Sequence, residues 1–178
     1  VSIGTSGVIL SSRDGYKPAP ETAVHTFCHA VPGRWYQMGV MLSATDSLNW
    51  LAGITSKSPS ELTSSIGDKL LKPGNVRFLP YLSGERTPHN DADIQGSITG
   101  IFANTSVDDL TRGVLEGVAF GLKDCFDALS ATNTKMDQLT AIGGGTASRY
   151  WMRLLATILG TPLNLPEGGE FGAALGAA

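Results

Sequence analysis

Apolar and polar positions along the chain fall into short alternating runs, followed by longer stretches of helical period. Ile3 and then Val8-Ile9-Leu10 flank the small-residue turn Gly4-Thr5-Ser6-Gly7, which predicts a tight hairpin over residues 1–12. Asp14-Gly15 and Pro18-Ala19-Pro20 mark residues 13–23 as an exposed loop. Val24 to Ala30 and Arg34 to Met38 read as two short strands joined by Val31-Pro32-Gly33. Residues 39–53 switch to helical period, with Val40, Leu42, Leu48 and Leu51 apolar. Ser58-Pro59-Ser60-Glu61 has the form of a capping box with proline at the first helical position, and it opens a second helix to about Leu71.

Beyond Pro73-Gly74, Val76 to Pro80 reads as a buried strand, and residues 83–97 as an ordered polar loop without clear period. A long helix follows. Thr105 or Ser106 caps it, and Asp108 and Asp109 lie in its first turn, where the helix dipole favours anions. Val107, Leu110, Val114, Leu115, Val118, Leu122, Phe126 and Leu129 keep the 3–4 spacing. Gly113, Gly117 and Gly121 recur every four residues, and each costs about 1 kcal/mol against alanine in a helix interior. Three in one row predict a ridge where another backbone packs closely. Leu139 to Ile142 reads as a strand entering Gly143-Gly144-Gly145, then a helix to about Leu159, then a short strand from Leu163 to Leu165. Gly172 to Ala178 reads as the start of an Ala-rich helix, so the chain is expected to be an internal segment of a longer polypeptide.

Composition narrows the function classes. The 178 residues are 42% hydrophobic and 16% charged, which supports a packed core. The net charge of −3 offers no basic footprint for nucleic acid and no polybasic membrane surface. No apolar run approaches the ~18 residues of a membrane span. Two cysteines, Cys28 and Cys125, make no disulfide framework and fit a reducing, cytoplasmic setting.

Two glycine-bearing turns after strands carry the candidate chemistry: Gly4-Thr5-Ser6-Gly7, and Gly143-Gly144-Gly145-Thr146-Ala147-Ser148. Such turns expose backbone N–H groups and can hold phosphate or let a flat base approach the backbone. Neither is a Walker loop, because Gly-Lys-Ser/Thr does not occur. The second fails the dinucleotide fingerprint at Ser148, which argues against an oxidoreductase domain. His25 and Cys28 sit on a strand and diverge to opposite faces, so they do not read as a metal pair. Glu85, Asp91 and Asp93 read as polar loop residues, with Glu85-Arg86 a candidate ion pair, and Asp124 and Asp127 as a solvated helix face.

Taken together, these motifs resemble the FGGY carbohydrate kinases across nearly the whole chain. The carrying residues are Gly96-Ser97-Ile98-Thr99-Gly100-Ile101, then Asp109-Leu110, then Val114-Leu115-Glu116, which is similar to the family's C-terminal signature. Gly113 stands where that signature prefers Ala or Ser. The tract from Phe78 to Asn90, Phe-Leu-Pro-Tyr-Leu-Ser-Gly-Glu-Arg-Thr-Pro-His-Asn, resembles the xylulose branch more than the ribulose, gluconate or glycerol branches.

The resemblance implies an α/β fold, the second domain of a two-domain actin-like (ribonuclease H-like) ATPase. It implies one domain over residues 1–178, shortened at both ends, with the sugar-binding N-terminal domain absent. It implies MgATP and D-xylulose as substrates, with the ketose held mainly by the absent domain, and no nucleic acid or membrane partner. By the same resemblance Gly4, Thr5, Ser6 and Gly7 face the terminal phosphates. Thr45 and Asn49 lie near the nucleotide, Gly144 and Gly145 leave bare backbone for the adenosine, and Arg149 lies over the base. The family's catalytic Asp precedes the first turn, upstream of residue 1, so no catalytic residue is named and the isolated segment is expected to be inactive. The apolar face prepared for the absent domain is a candidate surface for homodimer formation. The alternatives are another sugar or polyol kinase of the family, or a non-catalytic actin-like nucleotide-binding module.

Overall fold

In the computed structural model, which describes residues 1–172 and 174, the hairpin forms as its turn residues dictate. Strand β1 (Ser2–Ile3) pairs antiparallel with β2 (Gly7–Arg13) across Gly4, Thr5 and Ser6. β3 (His25–Cys28) and β4 (Trp35–Met41) complete an antiparallel sheet of order β1-β2-β4-β3. The expected helix start over 172–178 falls largely outside the described residues.

Helix α1 (Thr45–Thr55) starts six residues later than the apolar period predicted. Gly39, Val40 and Met41 belong instead to β4, paired with Ile9, Val8 and Gly7. Val40 and Leu42 are two apart and so fit a strand as well as a helical stripe. The decisive signal is long-range: a Cβ on Gly39 would stand 2.8 Å from Cys125 Cβ, so bare backbone at Gly39 is what lets a helix lie on the sheet. Leu42 is partly exposed in the loop that follows.

Helix α2 (Pro59–Ile66) carries the predicted capping box, Ser58 with Glu61, and ends five residues before Leu71. Strand β5 (Arg77–Leu79) pairs with β6 (Ser97–Thr99). β6 begins at Ser97, the last residue of the stretch expected to be loop. It is three residues long with little burial, and its hydrogen-bonded partner, β5, lies well back along the chain.

Helix α3 (Val107–Ala131) is capped by Ser106, whose hydroxyl accepts the Asp109 N–H while the Asp109 carboxylate accepts the Ser106 N–H. Thr105 serves the preceding turn, its Oγ1 accepting the Phe102 N–H at 2.8 Å. The glycine ridge predicted from spacing is real. Gly113 and Gly117 abut Val76 and Phe78 of the β5 region, and Gly121 abuts Met41 and Pro80. β7 (Leu139–Thr140), helix α4 (Arg149–Leu159) and β8 (Leu163–Asn164) close the chain, with β7 and β8 parallel. The Ile3 N–H donates to the Ile142 carbonyl at 2.8 Å, which joins β1 to the segment after β7 and extends the sheet. Leu115, Leu122, Leu129, Leu155, Trp151 and Ile9 are fully buried between this sheet and the helices. Buried apolar area of this kind supplies about 25 cal/mol per Å², the main stabilising term. The Trp151 indole N–H donates to the Leu115 carbonyl at 3.1 Å, so even the largest core side chain leaves no donor unpaired.

Candidate nucleotide site

The turn between β1 and β2 is tied to the start of α1 by its carbonyls. Thr5 O accepts from Ala44 N at 2.8 Å, and Gly4 O accepts from Thr45 N at 2.9 Å. The N-cap Ala44 has no side-chain acceptor, and Thr5 O also accepts the Asp46 N–H at 3.3 Å, a donor that a Ser or Asp N-cap would otherwise take. Thr5 and Ser6 are exposed, and their hydroxyls are what the turn presents outward. Gly7 is buried, and a Cβ there would meet Met41 Cγ at 2.7 Å and Leu122 Cδ2 at 2.9 Å. Its glycine is required by packing.

The second turn is held against the first. Gly143 has φ +96°, which favours glycine, and a Cβ on it would strike the Ile3 carbonyl. A Cβ on Gly145 would strike the Ile3 side chain. Gly144 is different: nothing lies within 4 Å of its Cβ position, and it is exposed. Gly143 and Gly145 thus serve the seam with β1, and Gly144 presents bare backbone outward.

Between α1, α2, this turn and α4 lies a cavity of about 400 Å³. Thr45, Leu48 and Asn49 line it from α1, Ser60 and Ser64 from α2, Gly144, Gly145 and Ser148 from the turn, and Trp151 from α4. No lining side chain is charged. Thr45 belongs to both parts of the site, since its side chain lines the cavity and its N–H is bonded to Gly4 O. The geometry is a neutral, half-apolar chamber opening beside a turn that carries two exposed hydroxyls.

The sequence model described as the FGGY family of carbohydrate kinases, C-terminal domain, matches residues 1–178. The chain belongs to this family. Among its relatives is a xylulose kinase of Escherichia coli, 45% identical over 181 residues, which covers all of this chain and 37% of the relative. The chain thus spans little more than a third of the length of such relatives. A xyloylose kinase crystal structure from Brucella ovis superimposes with TM-score 0.94 at 51% identity, over 99% of this chain and 36% of that one. A Plasmodium falciparum glycerol kinase structure with ADP matches with TM-score 0.78 at 25% identity, over 98% of this chain and 36% of that one. The α/β, actin-like class implied by the sequence motifs is the class of these neighbours.

Within this FGGY domain, the nine residues singled out from sequence divide by location. Thr45, Asn49, Gly144 and Gly145 line one cavity. Gly4, Thr5, Ser6 and Gly7 form the adjoining turn. Arg149 is exposed at the start of α4 and does not line the cavity, whereas Ser148, one residue earlier, does. The signal for Ser148 was present in the sequence: a serine at the N-cap of the helix after the glycine turn. The contribution of α2 was not among the residues singled out from sequence, where Ser58-Pro59-Ser60-Glu61 marked only the start of a helix.

The family's Phe78–Asn90 tract holds a second polar centre. Glu85 is only 4% exposed, and one carboxylate oxygen accepts the N–H groups of Leu42 at 3.0 Å and Arg86 at 2.7 Å. The Glu85-Arg86 ion pair considered from sequence does not form: the carboxylate takes the backbone of Arg86, and the Arg86 guanidinium reaches the Asn90 side chain. Burial pushes the Glu85 carboxyl above the usual carboxylate range. Asp124 is half-buried, unlike the solvated face expected for it, and burial raises its carboxyl as well.

Proposed function

We propose that this domain is the nucleotide-binding half of an ATP-dependent sugar kinase that moves the γ-phosphate of ATP to D-xylulose. The observation that carries the reading is the joining, at Thr45, of the neutral cavity to the exposed Thr5-Ser6 turn. A purine nucleoside needs a flat, mostly apolar chamber with a few polar groups. A triphosphate needs to leave that chamber toward hydroxyl and N–H donors. The naming of several relatives as xylulose kinase supports the choice of sugar.

In this reading the domain positions the donor. Phosphoryl transfer breaks the bond from the γ-phosphorus to the β–γ bridging oxygen and forms one to a sugar hydroxyl, whose proton passes to a base. Most of the catalysis is alignment and charge stabilisation. Gly144 supports the nucleoside, Thr45 and Asn49 flank it, and Thr5 and Ser6 offer hydroxyls to the phosphates. Magnesium enters with ATP. Among the described residues no group of three His, Cys, Asp or Glu side chains stands ready to hold a metal. Magnesium usually keeps several waters and takes much of the rest of its ligand set from phosphate. The base and most of the sugar pocket belong to the N-terminal part of the polypeptide.

The test is a coupled ADP-release assay on the complete polypeptide, offering D-xylulose, D-ribulose, L-ribulose, gluconate and glycerol. Turnover mainly on D-xylulose is the expected result. Turnover on another sugar moves the assignment to a sister kinase. No turnover on any sugar, with nucleotide still bound, favours a non-catalytic actin-like module.

A further inference from the structure

We infer that the donor site recognises a purine by shape and not by a fixed hydrogen-bond pattern, so that GTP and ITP serve as phosphoryl donors alongside ATP. The inference rests on the kinase reading above and concerns the same cavity. Its apolar walls come from Leu48, Pro59 and Trp151. They suit the faces of a flat bicyclic ring, whichever purine it is.

Purines differ at their polar edge. Adenine carries a 6-amino group, a donor. Guanine and hypoxanthine carry a 6-oxo group, an acceptor. A site rejects one of them strongly only if it aims a committed donor or a committed acceptor at that edge, because the wrong base then leaves a buried group unpaired. This cavity has no such group among its described side chains: it contains no Asp, Glu, Lys or Arg. Asn49, Ser60 and Ser64 supply its most exposed polar side chains. A serine hydroxyl rotates to donate or accept, and an asparagine amide offers both kinds of group. Thr63 alone has its proton committed, to the Pro59 carbonyl at 3.0 Å. The Ser148 oxygen accepts the Trp151 N–H at 3.3 Å and keeps a free O–H. Ser60 and Ser64 are one helical turn apart on α2 and both line the cavity, so they are the groups set to follow the base edge.

The experiment measures kcat/KM of the complete polypeptide for ATP, GTP, ITP, CTP and UTP at saturating D-xylulose. GTP and ITP are expected within about tenfold of ATP, with CTP and UTP lower because a single ring underfills the chamber. A preference for ATP over both GTP and ITP of more than about a hundredfold overturns the inference and leaves the kinase reading standing. No turnover with any nucleotide overturns both. Two variants test the wall itself. Ser60→Asp and Ser64→Asp, made separately, each place a fixed acceptor on α2. At least one should change the ATP-to-GTP ratio about tenfold or more, upward where the carboxylate meets the 6-position and downward where it meets the N1–H and 2-amino donors of guanine, and the ratio cancels any general repulsion of phosphate. An unchanged ratio in both overturns the placing of the base edge at α2.

Discussion

The Glu85 carboxylate accepts the N–H of Leu42 at 3.0 Å, and two and three residues along that loop the N–H groups of Ala44 and Thr45 donate to Thr5 and Gly4. A buried acid in the Phe78–Asn90 tract thus holds the loop to which the Thr5-Ser6 turn is bonded. The same acid is fixed from behind, since Glu85 and Asp91 exchange both backbone hydrogen bonds at 2.8 and 2.9 Å. Thr87 adds two bonds to Val40, its N–H donating to the carbonyl and its hydroxyl accepting the N–H. Glu85 Oε2 is buried without a partner, so the position is held at some cost in stability.

Replacing Glu85 by alanine leaves the Leu42 and Arg86 N–H groups unpaired. The expected loss is about 2–4 kcal/mol in chemical unfolding, with weakened nucleotide affinity in whatever remains folded. Glu85→Gln keeps an amide oxygen for both donors and should recover most of the loss. A Glu85→Ala variant as stable as the parent, in denaturant titration, would show that the clamp is unimportant.

The pH response follows from one buried and two half-buried acids. Burial raises the carboxyls of Glu85, Glu116 and Asp124 above their ordinary values. A raised native pKa means that the folded chain holds the proton more tightly than the unfolded one. The stabilisation is therefore complete below the unfolded carboxylate range and is lost as pH rises through the raised native values. Hydrogen bonds from Ser106 hold Asp109 low, which acts in the opposite sense: its stabilisation is present above the unfolded value and is lost as pH falls. Melting curves of the parent and Glu85→Gln, taken in steps from about pH 4 to about pH 8, should show the variant gaining on the parent as pH rises. Parallel curves would contradict this.

The glycine ridge of α3 gives a contrast within one helix. At Gly117 a Cβ would collide with the Phe78 carbonyl, which is backbone and cannot turn aside. At Gly121 the nearest atom is Met41 Cε at 3.0 Å, the end of a flexible side chain. Gly117→Ala should therefore cost about 1–3 kcal/mol despite the better helix propensity of alanine. Gly121→Ala should be near neutral, with propensity offsetting the crowding. Equal melting temperatures for the two would remove the argument that strand β5 is seated on this ridge.

Much of this was legible in the sequence because the signals were local. The capping boxes at Ser58 and Ser106, the turn at Gly4-Thr5-Ser6-Gly7 and the 3–4 stripe of α3 each lie within a few residues of what they organise. The strand over Gly39 to Met41 was not legible, since Cys125 and Ile9 decide it from far along the chain. The site shows the same division. Both glycine turns stood out by composition, but their glycines serve different masters: Gly7 and Gly145 are packing positions, and only the folded chain separates them from Gly144. The α2 wall was invisible because an exposed serine on a helix carries no mark of what faces it.

That separation yields the sharpest test of the nucleotide site. Gly144 and Gly145 are adjacent, so composition and propensity treat them alike. A Cβ on Gly144 meets nothing within 4 Å and would project into the open side of the turn that lines the cavity. Gly144→Ala should leave stability within about 0.5 kcal/mol of the parent. Any larger effect should appear in nucleotide binding, as a several-fold rise in Kd for ADP by calorimetry. A Cβ on Gly145 meets Ile3 Cβ at 3.0 Å and its carbonyl oxygen at 3.2 Å, with Cγ2 closer still, and Ile3 is fully buried in β1. Gly145→Ala should therefore lower stability by about 1–3 kcal/mol, because β1 has to move. Loss of stability at 144 with none at 145 would reverse the assignment of open backbone to Gly144 and packed seam to Gly145. Unchanged ADP affinity in a stable Gly144→Ala protein would place the nucleotide away from this cavity.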